Sequence, residues 1–248
     1  MVYKKILDNN INNFIIGRGT NILPSDKEFK GIVISLKYLN QYKILNDNEI
    51  YISSGCTFKT LLELTKQNIG GFEELACIPG SIGGLIYQNA SYKGISVNDK
   101  IISVQCIDNH GNVVCLKKDA LKFEYRSSIF KNKKYIILGG IFSYNLNGDI
   151  NKIYNYLKDK KRFQQLNCKN AGSTFKNKKD LPAWKIIQII GADKFRIGDA
   201  AVSNKHCNFL VNLNNSTFED MNQLIQKIIN TSKLYGYDLE LEIEIING

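Results

Sequence analysis

Asn13-Phe14-Ile15-Ile16-Gly17-Arg18-Gly19-Thr20-Asn21 and Ile78-Pro79-Gly80-Ser81-Ile82-Gly83-Gly84 are the two stretches on which the reading of this chain turns. In the first, a short apolar strand runs directly into glycines. Glycine lets the backbone approach an anion closely, and successive N–H groups can form a concave nest for a phosphate oxygen. The hydroxyls of Thr20 and Ser81 add donors. A tight turn after a strand explains the first stretch alone equally well. Two such loops within one half of the chain point to a diphosphate-bearing cofactor. Neither is G-x-G-x-x-G or a P-loop, so the Rossmann and nucleoside-triphosphatase readings lack their fingerprint.

Around these loops the first half reads as short strands punctuated by glycine. Strands are expected over 14–16, 32–36 and 50–53, then a helix near 58–67. A strand over 101–107 turns through 109–112 into a return strand over 113–116. Strands over 135–138 and 141–144 follow, divided by a break at Gly139–Gly140. The composition shifts near residue 148. A helix is expected over 149–165, with Ile153, Tyr156, Leu157 and Lys160 at helical spacing. Ser216 reads as an N-cap, with Glu219 completing a capping box. Phe218, Met221, Leu224, Ile225, Ile228 and Ile229 form one apolar stripe, and Gly236 stops that helix. Leu239, Leu241, Ile243 and Ile245 then alternate with Glu240, Glu242 and Glu244, the pattern of a last half-buried strand. Two domains follow, 1–147 and 148–248, with an α+β character.

With 248 residues, 44% hydrophobic and 23% charged, the chain has the balance of a globular protein rather than a disordered one. Its longest apolar runs, such as 186–190, are too short to span a bilayer, and its start lacks the apolar stretch of a signal peptide. No membrane insertion and a cytosolic place are expected. The six cysteines are scattered, none in a C-x-x-C pair, and the histidines are His110 and His206, so no metal centre is expected. The cysteines read as reduced, mostly buried, small apolar residues. The formal charge of +10 is almost all dispersed lysine, with arginine at 18, 126, 162 and 196 only. Nucleic-acid surfaces cluster arginine and aromatic side chains, so the charge reads as compositional bias, and a small anionic substrate fits it equally well.

Three further positions bear on chemistry. In Phe123-Glu124-Tyr125-Arg126-Ser127-Ser128 an arginine beside hydroxyls offers a clamp for a carboxylate or phosphate, or is a surface arginine in a loop. In Asn170-Ala171-Gly172-Ser173-Thr174-Phe175-Lys176-Asn177, Gly172 leaves room beside the Ser173 hydroxyl. With no histidine close in sequence, Ser173 suits a proton donor better than an acyl-transfer nucleophile; the plain alternative is a turn before a helix. Glu242 shares its strand face with Glu240 and Glu244, and the pattern alone reads all three as solvated.

Taken in order, GRGTNIL, IPGSIGGLIYQNA, YRSSIF, AGSTFKN, VSNKHCNFLVN and LELEIEI resemble the UDP-N-acetylenolpyruvoylglucosamine reductases, the MurB family, over nearly the whole chain. The resemblance implies a flavin-binding domain of the vanillyl-alcohol-oxidase (PCMH) type, followed by the α+β MurB C-terminal substrate domain in its shorter subtype. It implies FAD as cofactor, NADPH as reductant and a UDP-sugar enolpyruvate as substrate, in peptidoglycan synthesis. Gly17, Arg18, Gly19, Thr20, Asn21, Ile22 and Leu23 match one FAD diphosphate loop. Pro79, Gly80, Ser81, Gly83 and Gly84 match the other, with Asn89 following it. Arg126, Ser173 and Glu242 match the catalytic arginine, proton donor and C-terminal glutamate, and Tyr125 and Asn177 match positions near the substrate.

Relative to that family, the chain reads as shortened at its N-terminus, because a segment with a YTT-like, GG-containing stretch has no counterpart before Gly17. Asn89-Ala90-Ser91-Tyr92-Lys93-Gly94 stands where NAGAYG is usual, Lys178 where a proline follows the AGS motif, and Ala201 where a glutamine precedes the VS pair. Two other readings are a degenerate member that binds a sugar nucleotide or a partner without catalysis, and a basic nucleic-acid-binding protein resting on charge alone.

Overall fold

The computed structural model of the chain describes residues 2–132, 135–165 and 167–247. It contains two compact units, Met1–Arg18 with Gly31–Leu157, and Gly19–Lys30 with Lys158–Gly248.

The first unit is built on a five-stranded antiparallel sheet. Its strands lie in the order Tyr42–Asn46, Glu49–Ser53, Ile136–Ser143, Ile101–Ile107, Val113–Lys117. In the strand Ile101–Ile107 one face buries Val104 and Cys106, while the other buries Ile101 and Ser103 and turns outward at exposed Gln105. Against the buried face pack the helices Phe58–Lys66 and Ile82–Gln88, giving a core around Leu61, Leu64, Ile82 and Ile86. A parallel pair, Asn13–Ile16 with Ile32–Ser35, stands apart from that sheet.

The glycine pair expected to interrupt the sheet does not. Ile136–Ser143 is one strand, with a bulge between Ile137 and Gly139, and Gly139 and Gly140 lie inside it. A Cβ on Gly139 would come within 2.5 Å of the Tyr51 hydroxyl, and one on Gly140 within 2.6 Å of Ile101 Cδ1. Both glycines are there because neighbours press on the backbone. The helix Val2–Asp8, which buries Tyr3 and Ile6, had no counterpart in the sequence reading.

The second unit holds a four-stranded antiparallel sheet in the order Lys169–Ser173, Phe209–Asn212, Ala200–Val202, Arg196–Ile197. The helix Phe218–Leu234 packs Met221, Leu224, Ile225 and Ile228 into the same core as the sheet's Ala200, Val202 and Leu210. Leu224, Ile225 and Ile228 are fully buried, each contributing about 1.5–3 kcal/mol. Its N-cap is Thr217 with Asp220 completing the box, one residue later than expected. Ser216 instead donates its N–H to Asn212 Oδ1, which keeps it in the preceding turn.

The acidic C-terminal segment is not one alternating strand. Residues 240–242 pair antiparallel with 174–176, where Lys176 N–H donates to Glu240 O and Glu242 N–H to Thr174 O, each at 2.8 Å. Glu244–Ile246 then pairs in parallel with Ile22–Pro24. The switch of partner breaks the pleat, so the three glutamates do not share one solvated face: Glu240 is exposed, whereas Glu242 and Glu244 are half-buried. The six cysteines form no disulfide. Cys56, Cys77 and Cys106 are buried, Cys168 and Cys207 are half-buried and Cys115 is exposed, so burial holds for three of them.

Candidate functional site

In the first unit Gly17, from the first glycine-rich stretch, meets Ser81 of the second. A Cβ on Gly17 would lie 2.5 Å from Ser81 Oγ, so any side chain here would force the buried serine hydroxyl to move. Ser81 caps the helix Ile82–Gln88, its hydroxyl accepting from Gly84 N–H at 3.4 Å. The stretch 54–57 closes the other side: Ile82 N–H donates to Cys56 O and Gly83 N–H to Ser54 O, both at 2.8 Å. A Cβ on Gly83 would strike Ser54 Cβ at 2.8 Å. Burial pushes the Cys56 thiol up, which keeps it protonated and unreactive. Gly84 differs from these glycines. It is exposed, and a Cβ there would meet only Ser81 Oγ at an ordinary 3.6 Å, so the chain itself does not require glycine at this position.

The same helix carries the arginine. Asn89 ends it in the left-handed conformation (φ 43°), donating Nδ2–H to Glu124 O at 2.9 Å and accepting from Asn98 N–H at 3.0 Å. Ser128 Oγ donates to Tyr87 O at 2.7 Å. Between these anchors, Glu124 and Ser127 exchange both backbone hydrogen bonds, leaving Tyr125 and Arg126 at the tip of a two-residue turn. Arg126 takes φ +54°, a region that disfavours side chains other than those of Gly, Asn and Asp. Its Nη1 donates to Ser91 Oγ at 2.8 Å and its guanidinium lies 5.2 Å from the Tyr125 ring centroid. Backbone strain held by surrounding contacts is what a presented functional side chain shows.

In the second unit Ser173 ends the strand Lys169–Ser173, opposite Phe209 and just after a bulge. Gly172 has φ +80° and nothing within 4 Å of where a Cβ would be, so the space beside Ser173 is open. Beyond Ser173, Thr174 and Phe175 are buried, and Thr174 O accepts from Glu242 N–H at 2.8 Å. Asn21 holds the other side of Glu242: Nδ2–H donates to Glu242 O at 3.0 Å, and Asn21 O accepts from Glu244 N–H at 3.0 Å. Ser173, Glu242 and Asn21 thus lie on three adjoining segments of one unit. Ile22 and Leu23 follow as strand residues, Leu23 packing on the hydrophobic core. Asn177 is exposed, and its Oδ1 accepts from Ala183 N–H at 3.0 Å, capping a helix whose N-cap residue, Pro182, has no capping side chain. Lys176 pairs with Glu240 at 2.9 Å and holds that carboxyl below its usual range.

One residue to which the sequence reading gave no role stands out. Asn208 is buried and bonds the backbone of Phe175 through both ends of its amide, accepting from N–H at 2.9 Å and donating to C=O at 2.8 Å. It falls within the stretch VSNKHCNFLVN, but spacing does not tell its role, since its partner is 33 residues away.

The first unit fits a diphosphate-bearing flavin. Neither 13–18 nor 78–92 contains a carboxylate, the Ser81 hydroxyl and Arg18 supply donors, and Gly84 keeps an opening that the chain does not use. Among the described residues no group of three or more His, Cys, Asp or Glu is placed to hold a metal, and no helix is long and apolar enough to cross a membrane.

Residues 2–117 match the family described as FAD binding domain, and residues 164–246 match the C-terminal domain of UDP-N-acetylenolpyruvoylglucosamine reductase. The protein of that name from Pelagibacter ubique is 39% identical over 240 residues, covering 94% of this chain and 80% of the relative. Its namesake from Carboxydothermus hydrogenoformans is 35% identical over 252 residues, covering 99% and 83%. The crystal structure of the MurB reductase from Thermus caldophilus superposes with a TM-score of 0.82 at 23% identity, covering 98% of this chain and 89% of that one, a likeness of fold. The fold is therefore a PCMH-type flavin-binding domain joined to a MurB C-terminal domain. On the strength of relatives matched over at least four-fifths of their length, the chain belongs to the UDP-N-acetylenolpyruvoylglucosamine reductase family.

Proposed function

We propose that the chain reduces UDP-N-acetylglucosamine enolpyruvate to UDP-N-acetylmuramate with NADPH and FAD, in peptidoglycan synthesis. The observation that carries this is the pair of family matches over 2–117 and 164–246, backed by relatives of that name along the chain. Bound FAD supplies the chemistry of hydride transfer, from NADPH to the terminal carbon of the enol ether. The flavin-binding domain is assigned to 1–147 and the substrate domain to 148–248. FAD diphosphate is assigned to 17–23 and 79–84 together with Asn89. The close packing of Gly17 on Ser81 supports the first two, while the amide of Asn89 supports the Arg126 turn directly.

Hydride addition leaves negative charge on the carbon beside the substrate carboxylate. Arg126, a fixed cation pre-set by its turn, is assigned to that charge. Ser173 is assigned the proton that the carbon then takes; a serine is a weak acid and can serve only against so strong a base held close to it. Glu242, held from both sides through its backbone, is assigned to orienting groups around the same carbon. Tyr125 and Asn177 are assigned to substrate binding. The reaction belongs in the cytosol and, through cell-wall synthesis, in cell shape and division.

The test is direct. The purified protein is expected to be yellow, to release FAD on denaturation, and to oxidise NADPH beyond the single equivalent that reduces its flavin only when the enolpyruvyl sugar nucleotide is added. The product should be two mass units heavier than the substrate. A protein that cannot be loaded with FAD, or that oxidises NADPH without making this product, would refute the proposal.

A further inference from the structure

We propose that Asn208 is a positioning residue for proton transfer: its carboxamide sets the register between Ser173 and the segment that carries Glu242. This rests on the roles assigned above to Ser173 and Glu242.

The strand Lys169–Ser173 loses its regular ladder at the bulge between Asn170 and Ser173. Past that point the chain needs new partners, because Thr174 and Phe175 are buried and their backbone groups have no water to bond. Asn208 supplies them on one side. Its backbone O accepts from Thr174 N–H at 2.8 Å, and its side-chain amide stands in for one more peptide of the ladder, bonding Phe175 N–H and C=O. The donor and acceptor on Phe175 fix which way the amide points. On the opposite side, Thr174 O and Lys176 N–H bond Glu242 N–H and Glu240 O.

The segment 174–176 is therefore clamped between Asn208 and the segment bearing Glu242. Ser173 is the residue immediately before the clamp, where Gly172, at φ +80°, puts no side chain against it. If the amide pair is lost, Phe175 must find other partners, and the backbone next to Ser173 moves. A displacement of about 1 Å between reacting groups costs on the order of 100-fold in rate. Asn208 itself is 1% exposed and bonded at both ends of its amide, so it acts through the backbone rather than on the substrate.

The experiment compares the two half-reactions of the FAD-loaded full chain by stopped-flow absorbance of the flavin, in parent, Asn208→Ala, Asn208→Asp and Ser173→Ala proteins. Asn208→Asp keeps the acceptor for Phe175 N–H and removes the donor. Expected is flavin reduction by NADPH within twofold of parent for all. Reoxidation by UDP-N-acetylglucosamine enolpyruvate should be slowed about 100-fold in Asn208→Ala and about tenfold in Asn208→Asp. A merely structural role would lower thermal stability and FAD content and affect both half-reactions alike, and that outcome overturns the proposal. So does reoxidation within threefold of parent in either folded, flavin-loaded variant while Ser173→Ala is slow. If Ser173→Ala reoxidises at the parent rate, the role of Ser173 itself falls, and this proposal with it.

Discussion

Arg126 provides a test in which stability and activity should part. In the left-handed region a residue with a Cβ pays about 1–2 kcal/mol relative to glycine. Arg126, at φ +54°, pays it. Its guanidinium returns a charged hydrogen bond to Ser91, worth about 1.5 kcal/mol, and a contact with the Tyr125 ring worth about 0.5 kcal/mol at this exposure. Arg126→Ala loses both contacts and keeps the strain, so it should be destabilised by about 2 kcal/mol. Arg126→Gly loses the same contacts and relieves the strain, less about 0.4–1 kcal/mol of added chain entropy in the unfolded state. At the mid-points of these ranges it should therefore be the more stable of the two by about 0.8 kcal/mol, a difference of about 2–3 °C in Tm for a chain of this size. Both variants lose the cation, so both should turn over at least 100-fold more slowly than the parent. Thermal unfolding followed by circular dichroism, beside steady-state NADPH oxidation, reads both quantities. An Arg126→Ala protein as stable as Arg126→Gly would refute the strained turn. Near-parental turnover in either would refute the role given to the guanidinium.

Gly17→Ala should weaken FAD binding about fivefold, because Ser81 must swing away and lose its bond to Gly84, a cap worth about 1 kcal/mol. In a Ser81→Ala background, where the nearest atom would be Cβ at 3.8 Å, the same change should cost less than twofold; flavin-fluorescence titration measures the cycle, and additive losses would refute the contact. Thr217→Ala should destabilise the second unit by about 1 kcal/mol while Ser216→Ala stays within about 0.5 kcal/mol, read by urea unfolding through Trp184. Equal effects would restore the cap to Ser216. Glu74 is a case for pH. Burial alone would raise its carboxyl, but Lys152 at 2.7 Å and the Tyr156 hydroxyl hold it below the ordinary value. A carboxyl that titrates lower when folded contributes stability at neutral pH and loses it as pH falls through the folded value. The stability gap between parent and Glu74→Gln should thus be flat between about pH 5 and 8 and narrow below about 4.3, and a gap that widens there would contradict the sign.

What the sequence made legible were elements that carry their own evidence locally. The hairpin of Ile101–Ile107 and Val113–Lys117 shows in its alternation and its polar turn, and Phe218–Leu234 shows in its apolar stripe. The cap of that helix was ambiguous for a local reason. Both Ser216 with Glu219 and Thr217 with Asp220 satisfy the capping pattern, and only the bond from Ser216 N–H to Asn212 decides between them. Gly139 and Gly140 looked like a break because the chain does not reveal that Tyr51 and Ile101 press on them. The final strand failed as a single unit because its two halves pair with segments more than 60 and 200 residues away. The candidate site divides in the same way. Glycine loops, the arginine turn and the serine are compact motifs. The asparagines that hold them, Asn21 on Glu242 and Asn208 on Phe175, sit in quoted motifs, but their long-range partners leave no trace in spacing.

The central claim, that Ser173 delivers a proton after hydride transfer in a flavin-dependent reductase, is tested most directly by the Ser173→Ala protein loaded with FAD. Mixed rapidly with NADPH, its flavin should bleach at the parent rate. Mixed in its reduced form with UDP-N-acetylglucosamine enolpyruvate, it should recover its colour at least about 100-fold more slowly, the usual contribution of a positioned proton donor. Recovery at the parent rate would contradict the account.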